Sequence, residues 1–287
     1  MTHSVIFQKL LIDLKNNKNE RSWLNEQKRT KKKALPKNRI YNENCLTGMN
    51  KIEDASVDFI CCDLPYQTTK CKWDIMIPFD ELWEQYKRVL KPNGTIALFG
   101  AEPFASMVRL SNKEDYKYDW IWNKVSAANF VQAKNQPLRQ HECISIFHQK
   151  DYIYNPQGLV EINKPCKGKS YTDDCFLSGH SLDNDYVQTH TNYPKTILTF
   201  SKEKGRTVDG HPNHATQKPL ELIEYLVKTY TNPGMTVMDN CMGSGTTAIA
   251  CLKTGRDFIG FETDTRYFEM AQHRINDYLI EQLKGTA

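Results

Sequence analysis

Residues 236–262 carry the pattern that most restricts the fold. Thr236-Val237-Met238-Asp239 has the length of a buried strand, Thr246–Lys253 that of a helix, and Asp257–Phe261 that of a second strand. Between the first strand and the helix lies Asn240-Cys241-Met242-Gly243-Ser244-Gly245. Two glycines at that point let the backbone turn tightly and approach a ligand, with the N–H groups of the helix start facing anionic atoms. Glu262 closes the second strand about twenty residues past the glycines, where an acid can accept hydrogen bonds from ribose hydroxyls. The loop does not spell G-x-G-x-x-G, and no P-loop lysine follows Gly245. The expected ligand is a nucleoside with a small zwitterionic tail rather than a pyrophosphate.

The same alternation runs through the rest of the chain. Val57–Cys62 reads as a buried strand. Phe79, Leu82, Trp83, Tyr86, Val89 and Leu90 repeat with the 3.6-residue period until the turn signal Lys91-Pro92-Asn93-Gly94. Strands are expected at Thr95–Phe99, Tyr118–Trp122 and Cys143–Phe147, and helices at Pro103–Leu110, Pro219–Tyr230 and from Asp264 to about Leu283. Strands separated by helices of this length imply βαβ units, hence an α/β fold with a doubly wound, mostly parallel sheet. Residues 150–210 lose the periodicity and read as an irregular insertion. The expected organisation is a basic arm over 1–38 and one domain over 39–287.

A second chemical pattern ends the Val57–Cys62 strand: Asp63-Leu64-Pro65-Tyr66. An acidic acceptor, a rigid proline and a large ring suit a flat heterocycle carrying an amino group. The carboxylate can accept one N–H, a backbone carbonyl the other, and the ring can stack on the base. Taken alone, the tetrapeptide is equally a strand ending in a proline turn.

Charge and cysteine usage narrow the setting. The net charge is +4, yet residues 1–40 alone carry eleven Lys or Arg against three acids, leaving a mildly acidic body. Such an arm, densest at Lys28–Lys33, fits a tail that touches phosphates, or a plain solvated terminus. Its residues 5–14 have helical spacing. The nine cysteines are odd in number and form no C-x-x-C, so neither a disulfide framework nor a zinc site is indicated. His211 and His214 read as loop residues, and no metal is expected. No apolar stretch approaches a membrane span and Met1-Thr2-His3-Ser4 is not a signal peptide, so the expectation is a cytoplasmic protein without membrane contact. Asn163–Ser170 nearly spells a Walker A loop, but its first glycine is missing and no apolar helix follows.

Asp63–Tyr66, then His214-Ala215-Thr216-Gln217-Lys218-Pro219, then Asp239–Thr247 and Glu262 occur in an order that resembles the beta group of amino-DNA methyltransferases. The resemblance spans about residues 39–280. It implies the Rossmann-like fold of S-adenosylmethionine-dependent methyltransferases and methyl transfer from S-adenosyl-L-methionine to adenine N6 or cytosine N4 in double-stranded DNA. It further implies that Asp239, Met242, Gly243, Ser244, Gly245 and Thr246 hold the methionine part of the cofactor and Glu262 its ribose. Thr216, Gln217 and Lys218 would close over the cofactor, while Asn44 and Cys45 resemble the family's step near the cofactor adenine. Asp63, Leu64, Pro65 and Tyr66 would form the catalytic group, with aspartate rather than serine at 63 favouring adenine.

The chain departs from the family's usual pattern where Asn240 and Cys241 follow Asp239, where Leu64 replaces a proline and where Asn44 replaces an aspartate. Within the same reading, the aromatic and lysine residues of 150–210 suit a DNA-reading insertion, with a surface subdomain or dimer arm as the alternative. Pro165-Cys166 lies in that segment rather than at a strand end, which argues against a cytosine-C5 nucleophile. A catalytically silent cofactor- and DNA-binding module is the reading from another class, and the intact Asp63, Pro65 and Tyr66 speak against it. No restriction-type cluster stands out, so the chain reads as methylation-only. A separate restriction endonuclease and a second copy of the chain are its candidate partners.

Overall fold

The computed structural model describes residues 35–67, 74–149, 151–167, 185–201 and 217–285. In chain order the elements are β1 (Arg39–Tyr41), α1 (Cys45–Met49), β2 (Val57–Cys62), α2 (Phe79–Val89), β3 (Leu90–Gly100), α3 (Phe104–Ser111) and β4 (Tyr116–Ala128). Then follow β5 (Arg139–His148), β6 (Val160–Cys166), β7 (Tyr186–Thr191), β8 (Ile197–Thr199), α4 (Leu220–Tyr230), β9 (Thr236–Asp239), α5 (Thr246–Thr254), β10 (Asp257–Phe261) and α6 (Thr265–Gly285). The basic arm and its helical stretch lie outside the described residues.

Among the described residues, eight strands form one sheet in the order β1-β10-β9-β2-β3-β5-β4-β8. Neighbours are parallel except where β5 runs against both β3 and β4, so β5 alone is reversed. The chain winds one way from β2 to β3 and the other way from β9 to β10, and β2 pairs β9 directly (Phe59 beside Val237, Ile60 beside Met238). That pair is the topological switch point, where loops at the strands' carboxyl ends diverge and leave a crevice.

Alternate residues of the central strands feed two cores. Phe59, Cys61, Ala97, Phe99 and Val237 pack with α4, α5 and α6 on one face. Ile60, Cys62, Ile96, Leu98 and Met238 pack with α1, α2 and α3 on the other. A strand covered on both faces needs a continuous apolar run, which is why β2 lacks polar alternation. Its single charge, Asp58, is buried; it accepts from Thr236 N at 2.9 Å and pairs with Lys91 at 2.7 Å, tying β2 to β9 and β3.

Two expectations change here. The Lys91–Gly94 turn signal does not separate helix from strand. β3 begins at Leu90 beside Val57, and its next partnered residue is Thr95 beside Phe59, so the four residues bulge out of a strand already begun. The 150–210 segment is also less irregular than its composition implies: β6 and β7 pair antiparallel as a separate two-stranded sheet, and β8 joins the edge of the main sheet.

Candidate active site

A cavity of about 590 Å³ opens at the carboxyl edge over β9 and β2. The glycine-loop side is built mainly from backbone. β9 ends in the buried Asp239, whose Oδ1 accepts from Cys241 N at 3.0 Å and Oδ2 from the Thr247 hydroxyl at 2.6 Å. Burial pushes its carboxyl up to about 6 against those two donors. Met242 N donates to Phe261 O at 2.9 Å, fastening the loop to β10, and Gly260 leaves the room that the Met242 side chain occupies.

Glu262, just past β10, accepts from Gly243 N and from Asp264 N, both at 2.8 Å. Burial pushes its carboxyl up while these N–H groups counter it. Each oxygen keeps a second lone pair for a ligand. Gly245 has φ 81° and would place a Cβ 3.0 Å from that of Ala271, so it packs against α6 instead of lining the cavity. Ser244 Oγ donates to Gln217 Oε1 at 3.1 Å and accepts from Arg274 Nη1 at 2.9 Å.

At the next strand end, Asn44 caps α1: its Oδ1 accepts from Leu46 N at 2.9 Å. Asn44 therefore shapes the wall through the helix it starts. Cys45 beside it is buried, which pushes its thiol up to about 12.

The opposite side is built from charged side chains. Tyr66 Oη donates to Asp63 Oδ1 at 2.5 Å, and its ring stacks on Phe104 with centroids 4.7 Å apart. Lys218 Nζ donates to Asp63 Oδ2 and sits over the Phe99 ring, 5.1 Å from its centroid. Lys218 also stands 3.5 Å from Glu142 Oε2, while Glu142 Oε1 pairs with Lys124. The result is a row of alternating charge, Lys124–Glu142–Lys218–Asp63, drawn from β4, β5, the residue before the α4 cap and the end of β2. Burial opposes the charge on Lys218, but Asp63 and Glu142 outweigh it and hold the ammonium above the usual lysine range. Burial likewise raises Glu142, and Lys218 and Lys124 bring it below the usual carboxylate range.

Asp63, Leu64, Pro65, Tyr66, Asp239, Met242, Gly243, Ser244, Thr246, Glu262, Gln217, Lys218, Asn44 and Cys45 thus surround one cavity. Thr216, His211 and His214 lie outside the described residues. Gln217 and Lys218 divide the work: one reaches the glycine loop, the other reaches Asp63 rather than closing over that loop. Contrary to the sequence reading, Pro165-Cys166 does end a strand, β6, but it lies away from the cavity, and it is this placement that argues against a cytosine-C5 nucleophile. Among the described residues no three His, Cys, Asp or Glu side chains are grouped as metal ligands, and no helix is long and apolar enough to cross a membrane.

Sequence reading missed Glu142 and Lys124. Each sits just outside an apolar run, Glu142 before Cys143 and Lys124 two residues past Trp122, and the register that sets Trp122 opposite Glu142 is not visible in the chain itself.

Comparison with known proteins adds an independent line. A family model described as DNA methylase matches residues 57–273. The Type II methyltransferase M1.MboII of Moraxella bovis is 28% identical over 262 residues, covering 85% of this chain and 98% of its own. The crystal structure of an M1.HpyAVI–SAM complex superposes with a TM-score of 0.56 at 22% identity, covering 83% of this chain and 98% of that one. PvuII DNA methyltransferase, described as cytosine-N4-specific, gives 0.59 at 15% identity over 88% and 94% of the two chains. At these identities the structural likenesses establish the fold.

Proposed function

Because the chain belongs to the DNA methylase family, we propose that it transfers a methyl group from S-adenosyl-L-methionine to adenine N6 in double-stranded DNA. The observation that carries this reading is that Asp63-Leu64-Pro65-Tyr66 and the Gly243–Gly245 loop with Glu262 meet at one switch point, although about 180 residues separate them. The residues fit the cofactor. The cavity has the size of small-molecule sites, Glu262 would have lone pairs left for ribose hydroxyls, and the turned loop would let its backbone hold the methionine portion. When bound, the cofactor supplies an electrophilic methyl group on a sulfonium.

The protein's part is orientation and electrostatics. An adenine amine is a poor nucleophile because its lone pair is delocalised into the ring. Accepting its two N–H groups at the Asp63 carboxylate and the Leu64 carbonyl favours positive charge building on nitrogen and points the lone pair at the methyl group. Pro65 restrains that carbonyl. Tyr66, backed by Phe104, lines the cavity and is the ring on which an extruded base would stack. Aspartate at 63 supports adenine over cytosine.

The approach of DNA is supported by the β4–β5 connection. Residues 125–141, the connection with its strand ends, contain no acid and include the exposed Lys134, Arg139 and His141. β4 runs in the same direction as β2, so this connection emerges at the cavity's edge of the sheet. Its tip exposes Phe130 (68%) and Val131 (92%). A cationic, acid-free loop with apolar residues at its tip suits phosphates beside a disturbed base stack.

Incubation with methyl-labelled cofactor and mixed-sequence duplex, followed by nucleoside mass spectrometry, tests the reading. Label on adenine N6 is expected. Label on cytosine N4 overturns the base assignment, and label on RNA alone overturns the substrate class.

A further inference from the structure

The alternating charge row leaves one group poorly served. Glu142 Oε2 is buried and accepts no hydrogen bond, although Lys218 Nζ is only 3.5 Å away. A buried carboxylate oxygen without a close donor is costly, and the nearest ammonium sits hard against Asp63 while only reaching ion-pair distance, 3.5 Å, from this oxygen. Glu142 is not free to turn from this position: its other oxygen is held by Lys124, which is 6% exposed and lies 5.3 Å from the centre of the Trp122 ring.

We propose that Lys218 is a counter-ion shared between two carboxylates, resting on Asp63 and passing to Glu142 Oε2 as the acceptor amine reaches Asp63, with Glu142 as the residue that positions it. This rests on Asp63 being the acceptor of the amine. Transfer would form the N–CH₃ bond as the S–CH₃ bond breaks, so that positive charge builds on the amine nitrogen, which then sheds a proton to Asp63 or to water. An ammonium still bonded to Asp63 would repel that growing charge and cancel the field that favours it. Passing Lys218 to Glu142 frees one Asp63 oxygen for the N–H and satisfies the orphaned oxygen, while the four charges still sum to zero. Reaching Glu142 Oε2 from 3.5 Å takes about 0.7 Å, and a further swing of the ammonium then carries it clear of Asp63 Oδ2. The flexible lysine stem can supply that without backbone motion.

Two substitutions test the handover on the duplex found to be methylated. In Glu142→Gln the amide turns its oxygen to Lys124 and its NH₂ to Lys218, so the second seat is lost. The single-turnover transfer rate is expected to fall at least ~10-fold, while the dissociation constant for S-adenosylmethionine stays within about threefold. Adding Lys218→Met, which removes the ion that must be moved, restores the double variant to within about threefold of Lys218→Met alone. A purely structural ion pair also couples, but in stability, so unfolding midpoints of both single variants and the double are measured alongside, and coupling in the transfer rate without matching coupling in stability is expected. Multiplied losses, or a wild-type rate in Glu142→Gln, overturn the proposal. Where the Gln variant fails to bind cofactor, Glu142→Asp replaces it; it keeps the charge but draws the receiving oxygen back by one methylene, and the same slow rate and the same suppression by Lys218→Met are expected. Asp63→Ala separates the two levels of the argument: wild-type turnover there removes the acceptor reading itself, whereas a dead Asp63→Ala with independent Glu142 and Lys218 effects removes only the handover.

Discussion

The two sides of the cavity are made of different material. On the glycine-loop side, both carboxylates are held by nearby donors. Asp239 takes a backbone N–H and a hydroxyl, and Glu262 takes two backbone N–H groups. On the Asp63 side the partners are Tyr66, Lys218, Glu142 and Lys124, side chains from four separate places in the chain. Backbone donors are fixed once the turn forms, so the first side is preset. The second side consists of long side chains whose pairing can be exchanged, and that suits the step in which charge moves.

The sharpest break in this comparison is Asp63→Ala. It removes the acceptor from the exchangeable side and leaves the preset side untouched. Methyl transfer is expected to fall by at least ~10³-fold, about 4 kcal/mol in the barrier, with cofactor affinity changed by less than about threefold. Lys218 loses a partner but still has Glu142 within 3.5 Å, so the fold should survive. A parallel loss of cofactor affinity, read by calorimetric titration, would show that the two sides are not separable.

The next effect concerns pH and belongs to the preset side. Burial raises Asp239 to about 6, with Asp63 adding to the rise and the Thr247 hydroxyl, the Cys241 N–H and the Cys62 thiol opposing it. A carboxyl raised above its unfolded value lets the native state bind the extra proton. Its contribution to stability is thus full below about pH 4 and is lost as pH rises through about 6. The span is about 3 kcal/mol at most. In urea unfolding at several pH values, Asp239→Asn should remove that slope while adding a constant offset for the altered hydrogen bonds. An unchanged slope would place the pH dependence elsewhere.

The same contrast explains what could be read from the chain. β9, the glycine loop, α5, β10 and Glu262 are contiguous, and their chemistry is written in local backbone requirements such as the positive φ of Gly243 and Gly245. Asp63–Tyr66 was legible for the same reason. Glu142 and Lys124 were not, because their role comes from the antiparallel register of β4 and β5 and from Lys218 arriving from a distant segment. Composition was also a poor guide at Lys91–Gly94, where pairing of β3 with β2 absorbs a turn signal as a bulge.

Glu262→Ala probes the preset side from the ligand's direction. It removes an ionised acceptor facing the cavity and leaves Gly243 N and Asp264 N without their partner. Cofactor affinity should fall by ~10- to 100-fold, the range of a hydrogen bond to a charged group. Duplex affinity, measured by fluorescence anisotropy, should stay within about threefold, since the Asp63 side and the β4–β5 connection are untouched.

The smallest effect separates backbone from side chain most directly, by pairing Gly245→Ala with Leu64→Met. Gly245 carries φ 81° and packs 3.0 Å from the Ala271 Cβ when a Cβ is added, so alanine brings both backbone strain and a close contact with α6. A cost of about 1–2 kcal/mol is expected, seen as a lowered unfolding midpoint together with weaker cofactor binding. Leu64 is 4% exposed, and its proposed part in the reaction belongs to its carbonyl, so methionine changes a buried shape while conserving volume. Transfer there should stay within about threefold of wild type, with a stability loss below ~1.5 kcal/mol. If Leu64→Met slows transfer more than Gly245→Ala weakens cofactor binding, the side chain at 64 touches the base, and the Asp63 side depends on packing as well as on exchangeable charge.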